Sequence, residues 1–216
     1  MTGVKSHKLS RRERAQASRR KLLDAARDSF IESGYHGATM ADIAARSGLA
    51  VQTVSYFFGT KPKLLNSLMR DTIETAIAES TPRGTAEWNE PPASATSGAQ
   101  IVDHFVDIGH GILLAVAPLV DVARIGGLTD DEVAAVFEFH EDWRARDYAR
   151  FVGWLAEAGA LRPGLDPRTA TDIALTVFGP EVYLALTAGR GWEAAAIREG
   201  MGEMLKRLLL APEHAA

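Results

Sequence analysis

The chain contains no cysteine, which excludes disulfide bonds, thiolate metal sites and thiol catalysis. Long apolar segments are also missing: the longest uninterrupted run, Ile112–Val120, has nine residues and includes Pro118, too short to cross a bilayer. The basic N-terminus lacks the apolar core of a signal peptide. These absences predict a cytoplasmic protein without membrane contacts.

Recognisable catalytic patterns are absent as well. The sequence has no Gly-rich phosphate loop, no Gly-x-Ser-x-Gly and no His-Glu-x-x-His. His104 and His110 are six residues apart, so they do not share a helix face as ligands four residues apart would. We therefore expect neither an enzyme nor a bound metal or cofactor.

Charge is distributed unevenly along the chain. Residues 1–79 carry 13 Lys and Arg against 8 Asp and Glu, whereas residues 80–216 carry 11 against 20. Residues 1–21 alone hold 8 basic side chains and one acidic one. A basic segment joined to an acidic body indicates a module that binds a polyanion, although a solvated basic tail would give the same distribution.

Helical patterns dominate, and the fold class predicted is all-α with about nine helices. Ser10 and Glu13 form a capping-box pattern, Gly34 ends the first helix, and Thr39 caps the second. Later helices are expected over about 100–117, in a short stretch after Pro118, and over about 130–158. A helix from Pro167 should be kinked at Pro180, and a last one covers about 193–210.

Composition divides the chain into four parts. Residues 1–17 form a basic N-terminal arm and residues 18–79 a helix-turn-helix domain. Residues 80–99 are rich in Pro, Ser, Thr and Gly, which predicts a flexible linker. Residues 100–216 form a second helical domain.

The pattern of residues 35–65 is typical of a helix-turn-helix DNA reader, with two short helices around the turn at Gly48 and a third opening at Gly59-Thr-Lys-Pro. Residues 18–79 as a whole resemble the N-terminal domain of the TetR (tetracycline-repressor-like) family of bacterial transcriptional regulators. The residues that carry the resemblance are Leu22 to Ala26, Phe30, Gly34, Tyr35, Thr39, Asp42 to Ala44, Ser47 to Leu49, Thr53, Phe57, Phe58, Lys61, Leu64 and Leu65.

The second short helix is expected to present a DNA-reading face. Its side chains Val54, Phe57 and Phe58 should pack inward. Gln52 can hydrogen-bond adenine through two atoms, and Val51 can touch a thymine methyl group. Hydroxyl groups suited to phosphate contacts come from Thr39, Thr53, Ser55 and Tyr56.

Lys61 and Lys63 occupy the first turn of a helix, where the helix dipole disfavours cations. A DNA phosphate at that helix end would reverse the balance, so Lys61 is predicted to contact phosphate. Simple solvation of both lysines is the alternative. The basic arm of residues 1–17 could likewise reach the minor groove or flanking phosphates.

The family resemblance implies that the acidic body forms a homodimer and binds a small-molecule effector of unknown identity. The dimer contact is expected through the last two helices, with the stripe of Met201, Met204, Leu205 and Leu208 at or beside it, unless that stripe packs only within its own subunit. The effector pocket is expected among the middle helices, where its wall could equally be plain core. The ligand-binding candidates are His104, Phe139, Trp143, Asp147 and Phe178.

Together these patterns predict a dimeric repressor that leaves a palindromic, double-stranded DNA operator when it binds an effector. Two other outcomes stay open within the same class: an activator, or a regulator without an effector. An all-α enzyme or carrier with an incidental helix-turn-helix is the alternative from another class.

Overall fold

The computed structural model describes residues 10–81, 84–91 and 95–214. Within these ranges the chain forms nine α-helices and, apart from one isolated bridge between Leu161 and Leu210, no β-structure. The all-α prediction is therefore confirmed. Contacts between residues divide the chain into two units, Met1–Leu68 and Met69–Ala216.

The first unit contains helices α1 (Arg11–Gly37), α2 (Met40–Ser47), α3 (Val51–Phe58) and the start of α4 (Lys61–Ser80). The boundary between the units falls inside α4, after Leu68. The sequence pattern places the end of the first domain later, at residue 79. The reason is that the later part of α4 packs with the second unit: Ile77 lies against its core.

Local signals in the sequence set the ends of these helices. The Ser10 side chain accepts from the Glu13 amide and the Glu13 carboxylate accepts from the Ser10 amide, which confirms the capping box. Gly34 has φ 67°, a conformation that favours glycine, and it interrupts α1 before a last turn ending at Gly37. Gly48 at φ 71° ends α2.

The core of the first unit is formed by the inward faces of its four helices. Burying these side chains stabilises the unit, because each removes apolar surface from water at about 25 cal/mol per Å². The fully buried members include Leu22, Ala26, Phe30, Ile43, Val54, Leu64 and Leu65.

The second unit contains the rest of α4, α5 (Gly98–Gly126), α6 (Asp131–Glu157), α7 (Pro167–Val177), α8 (Pro180–Arg190) and α9 (Ala194–Leu209). Short 3₁₀ segments cover Thr85–Trp88 and Pro212–His214. Phe105 lies at the centre of the core, stacked on Phe151 with ring centroids 4.1 Å apart and on Trp88 at 5.3 Å.

Pro118 does not end a helix, contrary to the sequence prediction. Helix α5 runs through it as one segment from Gly98 to Gly126. Proline inside a helix costs about 3 kcal/mol because it removes a hydrogen bond and crowds the preceding turn. Its neighbours Ala117 and Leu119 are fully buried, so packing on both sides of the proline keeps the helix continuous.

Pro180 has a stronger effect than the predicted kink. The chain leaves helical geometry at Phe178 (φ −107°, ψ 42°), and Pro180 then begins a separate helix, α8. The bend brings Gly179 close to the preceding turn, since a Cβ atom there would lie 2.6 Å from the Leu175 carbonyl oxygen. Proline in the first turn of α8 loses no helical hydrogen bond, so the break suits its chemistry.

The apolar stripe predicted on the last helix divides into two pairs. Met201 and Leu205 are fully buried in the core of their own chain. Met204 and Leu208 are exposed by 39% and 36%. The first pair therefore packs within its own subunit, which was the alternative for this stripe, and a subunit contact at or beside Met204 and Leu208 stays a prediction.

The described part of residues 80–99 is more ordered than a flexible linker. Trp88 is buried, and its ring nitrogen donates to the Asp147 carboxylate at 3.2 Å. Its carbonyl oxygen accepts from Arg150 at 3.3 Å. A large apolar ring that can also satisfy its N–H group gains more by packing than the segment loses in chain entropy.

Among the described residues, α5 is the one helix long and apolar enough to cross a membrane. More than half of its most apolar window is buried within the second unit. Its central side chains, Phe105 and Leu113 among them, belong to the core cluster. These are the properties of a buried core helix.

Candidate nucleic-acid interface and ligand cavity

Helix α3 has one buried face and one exposed face. Val54 and Phe58 are buried, and Phe57 is half-buried. Val51 is exposed by 41% and Tyr56 by 84%, and Gln52 and Ser55 are also exposed. This face combines two large exposed side chains, Val51 and Tyr56, with side chains that can form hydrogen bonds. Such a mixture is suited to contact with another molecule.

The N-terminus of α3 has no side-chain cap, so the helix depends on the packing of its buried side chains, Val54 and Phe58. Ala50 occupies the N-cap position and has no side-chain oxygen, so only its backbone carbonyl oxygen accepts, from the Thr53 amide at 2.8 Å and the Val54 amide at 3.4 Å. Losing a polar cap costs a helix about 1 kcal/mol. The half-buried Thr53 side chain lies on the first turn of this helix, between the two faces.

Thr39 already has a role in the fold. Its hydroxyl oxygen accepts from the Asp42 amide at 3.1 Å and its hydroxyl group donates to the Asp42 carboxylate. It therefore caps α2 as the sequence predicts. The side chain is exposed, so phosphate contact at this helix end remains a prediction that the cap does not obstruct.

Lys61 has partners that sequence reasoning missed. Its ammonium group donates to the carbonyl oxygens of Tyr35 at 2.8 Å and Ala38 at 3.0 Å. These carbonyl groups lie at the end of α1, where the helix dipole is negative. The end of one helix thus offsets the unfavourable position of a cation at the start of another, and no phosphate is needed to explain Lys61.

A cavity of about 80 Å³ lies in the second unit between α4, α5 and α6. Two of its walls are apolar, from α4 and α5, and the third, from α6, is polar. The apolar lining includes Met69, Ile73, Ile77, Gly109, Ile112, Leu113, Val116 and Val120, with Trp88 and Pro180 at its edges. The α6 wall consists of His140, Glu141, Trp143, Arg144, Asp147 and Tyr148.

The charged groups of the α6 wall are paired with one another or with a neighbour. Arg144 donates to both carboxylate oxygens of Glu141, at 3.2 and 2.5 Å, and to the Leu175 carbonyl oxygen at 3.2 Å. Asp147 accepts from Arg150 at 2.8 Å, on the oxygen not used by Trp88. Such pairing is required because an uncompensated buried charge is costly.

The two remaining polar groups of this wall are uncharged. Burial, together with the positive charge of Arg70, lowers the pKa of His140 to about 4, so its imidazole is neutral at physiological pH. Burial raises the pKa of Tyr148, whose hydroxyl group donates to the Phe178 carbonyl oxygen. The cavity therefore offers apolar surface and hydrogen-bonding groups, and the charges of its carboxylates are balanced by Arg144 in the lining and by Arg150 behind Asp147.

The structure places two of the five predicted ligand-binding residues at this cavity, Trp143 and Asp147. Phe178 is fully buried in the core, and Phe139 is exposed by 46% beside Trp143. His104 bonds the Glu87 carbonyl oxygen at 3.1 Å through its ring. These three lie elsewhere because aromatic spacing along a helix does not distinguish a cavity wall from core or surface.

Sequence reasoning missed most of the polar wall. Its members recur at positions 140, 141, 144, 147 and 148 of α6, which is the spacing of one helix face. Polar side chains on the buried face of an amphipathic helix were a usable signal. Trp88 was another, since a tryptophan inside a Pro- and Ser-rich segment seldom stays in water.

Comparison with known proteins identifies the first unit. The family described as "Bacterial regulatory proteins, tetR family" matches residues 22–68. The regulator BetI of Klebsiella pneumoniae is 45% identical over 53 residues, 24% of this chain and 27% of that protein. BetI of Burkholderia ambifaria is 36% identical over 73 residues, 34% of this chain and 38% of that protein. The chain thus matches well under half the length of these curated relatives.

Solved structures share the fold over most of the chain. A transcriptional regulator from Saccharomonospora viridis in complex with choline has a TM-score of 0.69 at 16% identity, covering 91% of this chain and 99% of that one. NalD, the secondary repressor of the MexAB-OprM multidrug efflux pump in Pseudomonas aeruginosa, has a TM-score of 0.65 at 17% identity, covering 93% and 99%. At such identities the likeness shows the fold alone.

Proposed function

Because residues 22–68 match the tetR family of bacterial regulatory proteins, we propose that the chain is a dimeric repressor of this family that binds a palindromic DNA operator and leaves it when a small molecule binds. Members of this family are transcriptional regulators rather than enzymes. The proposed site of action is the cytoplasm, where the DNA is accessible.

The observation that carries this proposal is the exposed face of α3. Gln52 and Val51 are proposed to read base edges, since an amide can pair with adenine and a valine can contact a thymine methyl group. Ser55, Tyr56, Thr53 and Thr39 are proposed to fix the protein on the phosphate backbone. All six lie on α3 or at the N-cap of α2.

The proposed role of Lys61 is to hold the start of α4 against the end of α1 while adding positive charge close to DNA. Its two carbonyl partners support the first part. A lysine that is fixed in this way contributes to binding of every DNA sequence and not to the choice among sequences.

A homodimer would place two recognition helices on successive turns of a palindrome, with half-sites about 34–36 Å apart. Met204 and Leu208 support a contact through α9, because they form an exposed apolar pair one turn apart. Trp192 adds apolar surface just before the same helix, exposed by 44%. Apolar side chains of this size on one surface are typical of subunit contacts.

Release by an effector is proposed to begin at the cavity. Helix α4 begins at Lys61 in the first unit and supplies Met69, Ile73 and Ile77 to the cavity wall in the second. A ligand that prefers one position of α4 would therefore change operator affinity, and the operator would change ligand affinity by the same factor. The choline complex of the Saccharomonospora viridis regulator supports a small-molecule site in this fold.

The decisive experiment is selection of fragmented genomic DNA on the purified full-length chain, followed by sequencing and a salt titration. We expect a palindromic consensus. If roughly six phosphates are neutralised, the logarithm of the binding constant should fall against the logarithm of the salt concentration with a slope of about −5. The Gln52→Ala variant is the control for sequence readout. Binding without sequence enrichment, or a flat salt response, would contradict the proposal.

A further inference from the structure

The cavity of the second unit has a property that restricts its ligand: each charged side chain in its wall is matched by an opposite charge. Glu141 is held by Arg144 through two hydrogen bonds. Asp147 is held by Arg150 at 2.8 Å. The arrangement contains two complete ion pairs and no charge left over for a ligand.

We propose that this cavity binds an uncharged, predominantly apolar molecule whose polar group is a hydroxyl or a similar neutral donor, and that it discriminates against both cations and anions of the same shape. This inference rests on the proposed effector function of the cavity and specifies the chemical class of the effector.

Discrimination against a cation follows from both ion pairs: Arg144 balances Glu141 and Arg150 balances Asp147, so an ammonium group would lose its water without meeting an uncompensated negative charge. A ligand ammonium group could reach Glu141 only by displacing Arg144, whose side chain is four-fifths buried, with 20% exposed. Arg144 would then keep the Leu175 carbonyl oxygen and the nearby charge of Glu181, and lose its hydrogen-bonded counter-ion. Separating a largely buried guanidinium group from the carboxylate that it bonds is strongly unfavourable.

Discrimination against an anion follows from the same pairs. A ligand carboxylate would have to separate Arg144 from Glu141, or Arg150 from Asp147. The Asp147 side chain is 17% exposed. It would also place a third negative charge beside two existing ones. The apolar walls from α4 and α5, with side chains such as Ile73 and Leu113, cannot solvate that charge.

A neutral hydroxyl group meets no such obstacle. An ionised carboxylate has about four lone-pair directions. Asp147 uses one direction on each oxygen, Oδ1 for the ion pair with Arg150 and Oδ2 for the hydrogen bond from Trp88. An additional uncharged donor can therefore bind the α6 wall without breaking an ion pair, while the rest of the ligand displaces water from apolar surface.

The test uses three probes of one shape: cyclohexylmethanol, the cyclohexylmethylammonium ion and the cyclohexanecarboxylate ion. Binding to the full-length protein is measured at neutral pH by calorimetry and by tryptophan fluorescence, since Trp88 and Trp143 line the cavity. We expect the alcohol to bind at least about tenfold more tightly than either ion. Equal or tighter binding of an ion, or no binding of the alcohol, would overturn the proposal.

Two variants then change the charge of the wall. Glu141→Gln leaves Arg144 without its counter-ion, so the carboxylate should gain roughly tenfold relative to the alcohol. Arg144→Gln instead leaves Glu141 without its counter-ion, so the affinity of the ammonium ion should rise relative to that of the alcohol. The control is Glu138→Gln, which removes the same charge from an exposed position on the same helix and should keep the wild-type order of affinities.

An unchanged order of affinities in Glu141→Gln would also refute the inference, even if Arg144→Gln fails to fold. Operator binding is assayed separately without any probe. A protein that binds no operator but ranks the probes as expected contradicts the regulator and retains the cavity chemistry. A protein that binds its operator but ranks the probes differently contradicts the ligand class alone.

Discussion

The ammonium group of Lys61 lies over the aromatic ring of Tyr35, 4.2 Å from its centre, and donates a hydrogen bond to the carbonyl oxygen of the same residue at 2.8 Å. Tyr35 is buried and follows the break in α1 at Gly34. The pair therefore connects the last turn of α1 to the first turn of α4, on either side of the two helices proposed to meet DNA.

Replacing Lys61 with Met should destabilise the first unit, because it removes two charge-assisted hydrogen bonds and a cation–π contact. We expect a loss of roughly 1–3 kcal/mol in urea unfolding, with weaker binding to all DNA sequences. Lys63→Met is the matched control: Lys63 is an exposed lysine on the same turn and should cost little stability. Equal stability of the two variants would show that the Lys61 contacts do not stabilise the unit.

Base readout and phosphate contact should separate within α3. Gln52→Ala is expected to relax the selected consensus at one base pair per half-site, at a cost of roughly 1–3 kcal/mol there. Ser55→Ala removes a hydroxyl group from the same exposed face and should weaken all sequences alike. The measurement compares the consensus DNA sequences that the two variants and the wild type select in parallel. A Gln52→Ala consensus identical to that of the wild type would show that Gln52 does not read bases.

Two double variants on α9 should give opposite results. Met204→Asp with Leu208→Asp places charges on exposed positions, so the chain should fold but sediment as a monomer with weak operator binding. Met201→Asp with Leu205→Asp places charges in the core and should prevent folding, at a cost of several kcal/mol per site. Analytical ultracentrifugation and circular dichroism distinguish these outcomes. A folded dimer of the first variant would place the subunit contact elsewhere.

The parts of the fold that follow from local signals could be predicted from sequence. The N-caps at Ser10 and Thr39 each depend on a side chain and an amide three residues away. Pro118 and Pro180 show where this reasoning fails. Pro118 lies inside a helix and Pro180 begins one. Whether a proline ends a helix therefore depends on what is buried beside it and not on the proline alone.

The site divides in the same way. The two faces of α3 follow from helical periodicity, so the exposed set could be named in advance. Lys61 bonds carbonyl groups 23 and 26 residues away, and the cavity needs three helices to converge. Periodicity within α6 places Glu141, Arg144 and Tyr148 on one face, but it does not show that α4 and α5 leave a cavity in front of that face.

Acid should destabilise the second unit through His140. Burial and Arg70 lower the pKa of this imidazole to about 4 in the folded chain, against about 6.5 in the unfolded one. The unfolded state thus binds the proton more tightly, so stability is complete above about pH 6.5 and is lost as pH falls towards 4. Over that window the loss approaches roughly 2–3 kcal/mol, because each unit of pKa difference corresponds to about 1.4 kcal/mol.

The measurement is the free energy of urea unfolding at several pH values between about 7 and 5.5, a range in which most carboxylates stay ionised. His140→Gln should flatten the pH dependence of wild type, because glutamine keeps a polar group in the wall but does not titrate. His36→Gln, a change at an exposed histidine of the first unit, should leave the dependence unchanged. If His140→Gln lost stability with acid as steeply as wild type, another group would be responsible, and the neutral imidazole would have no place in the description of the cavity wall.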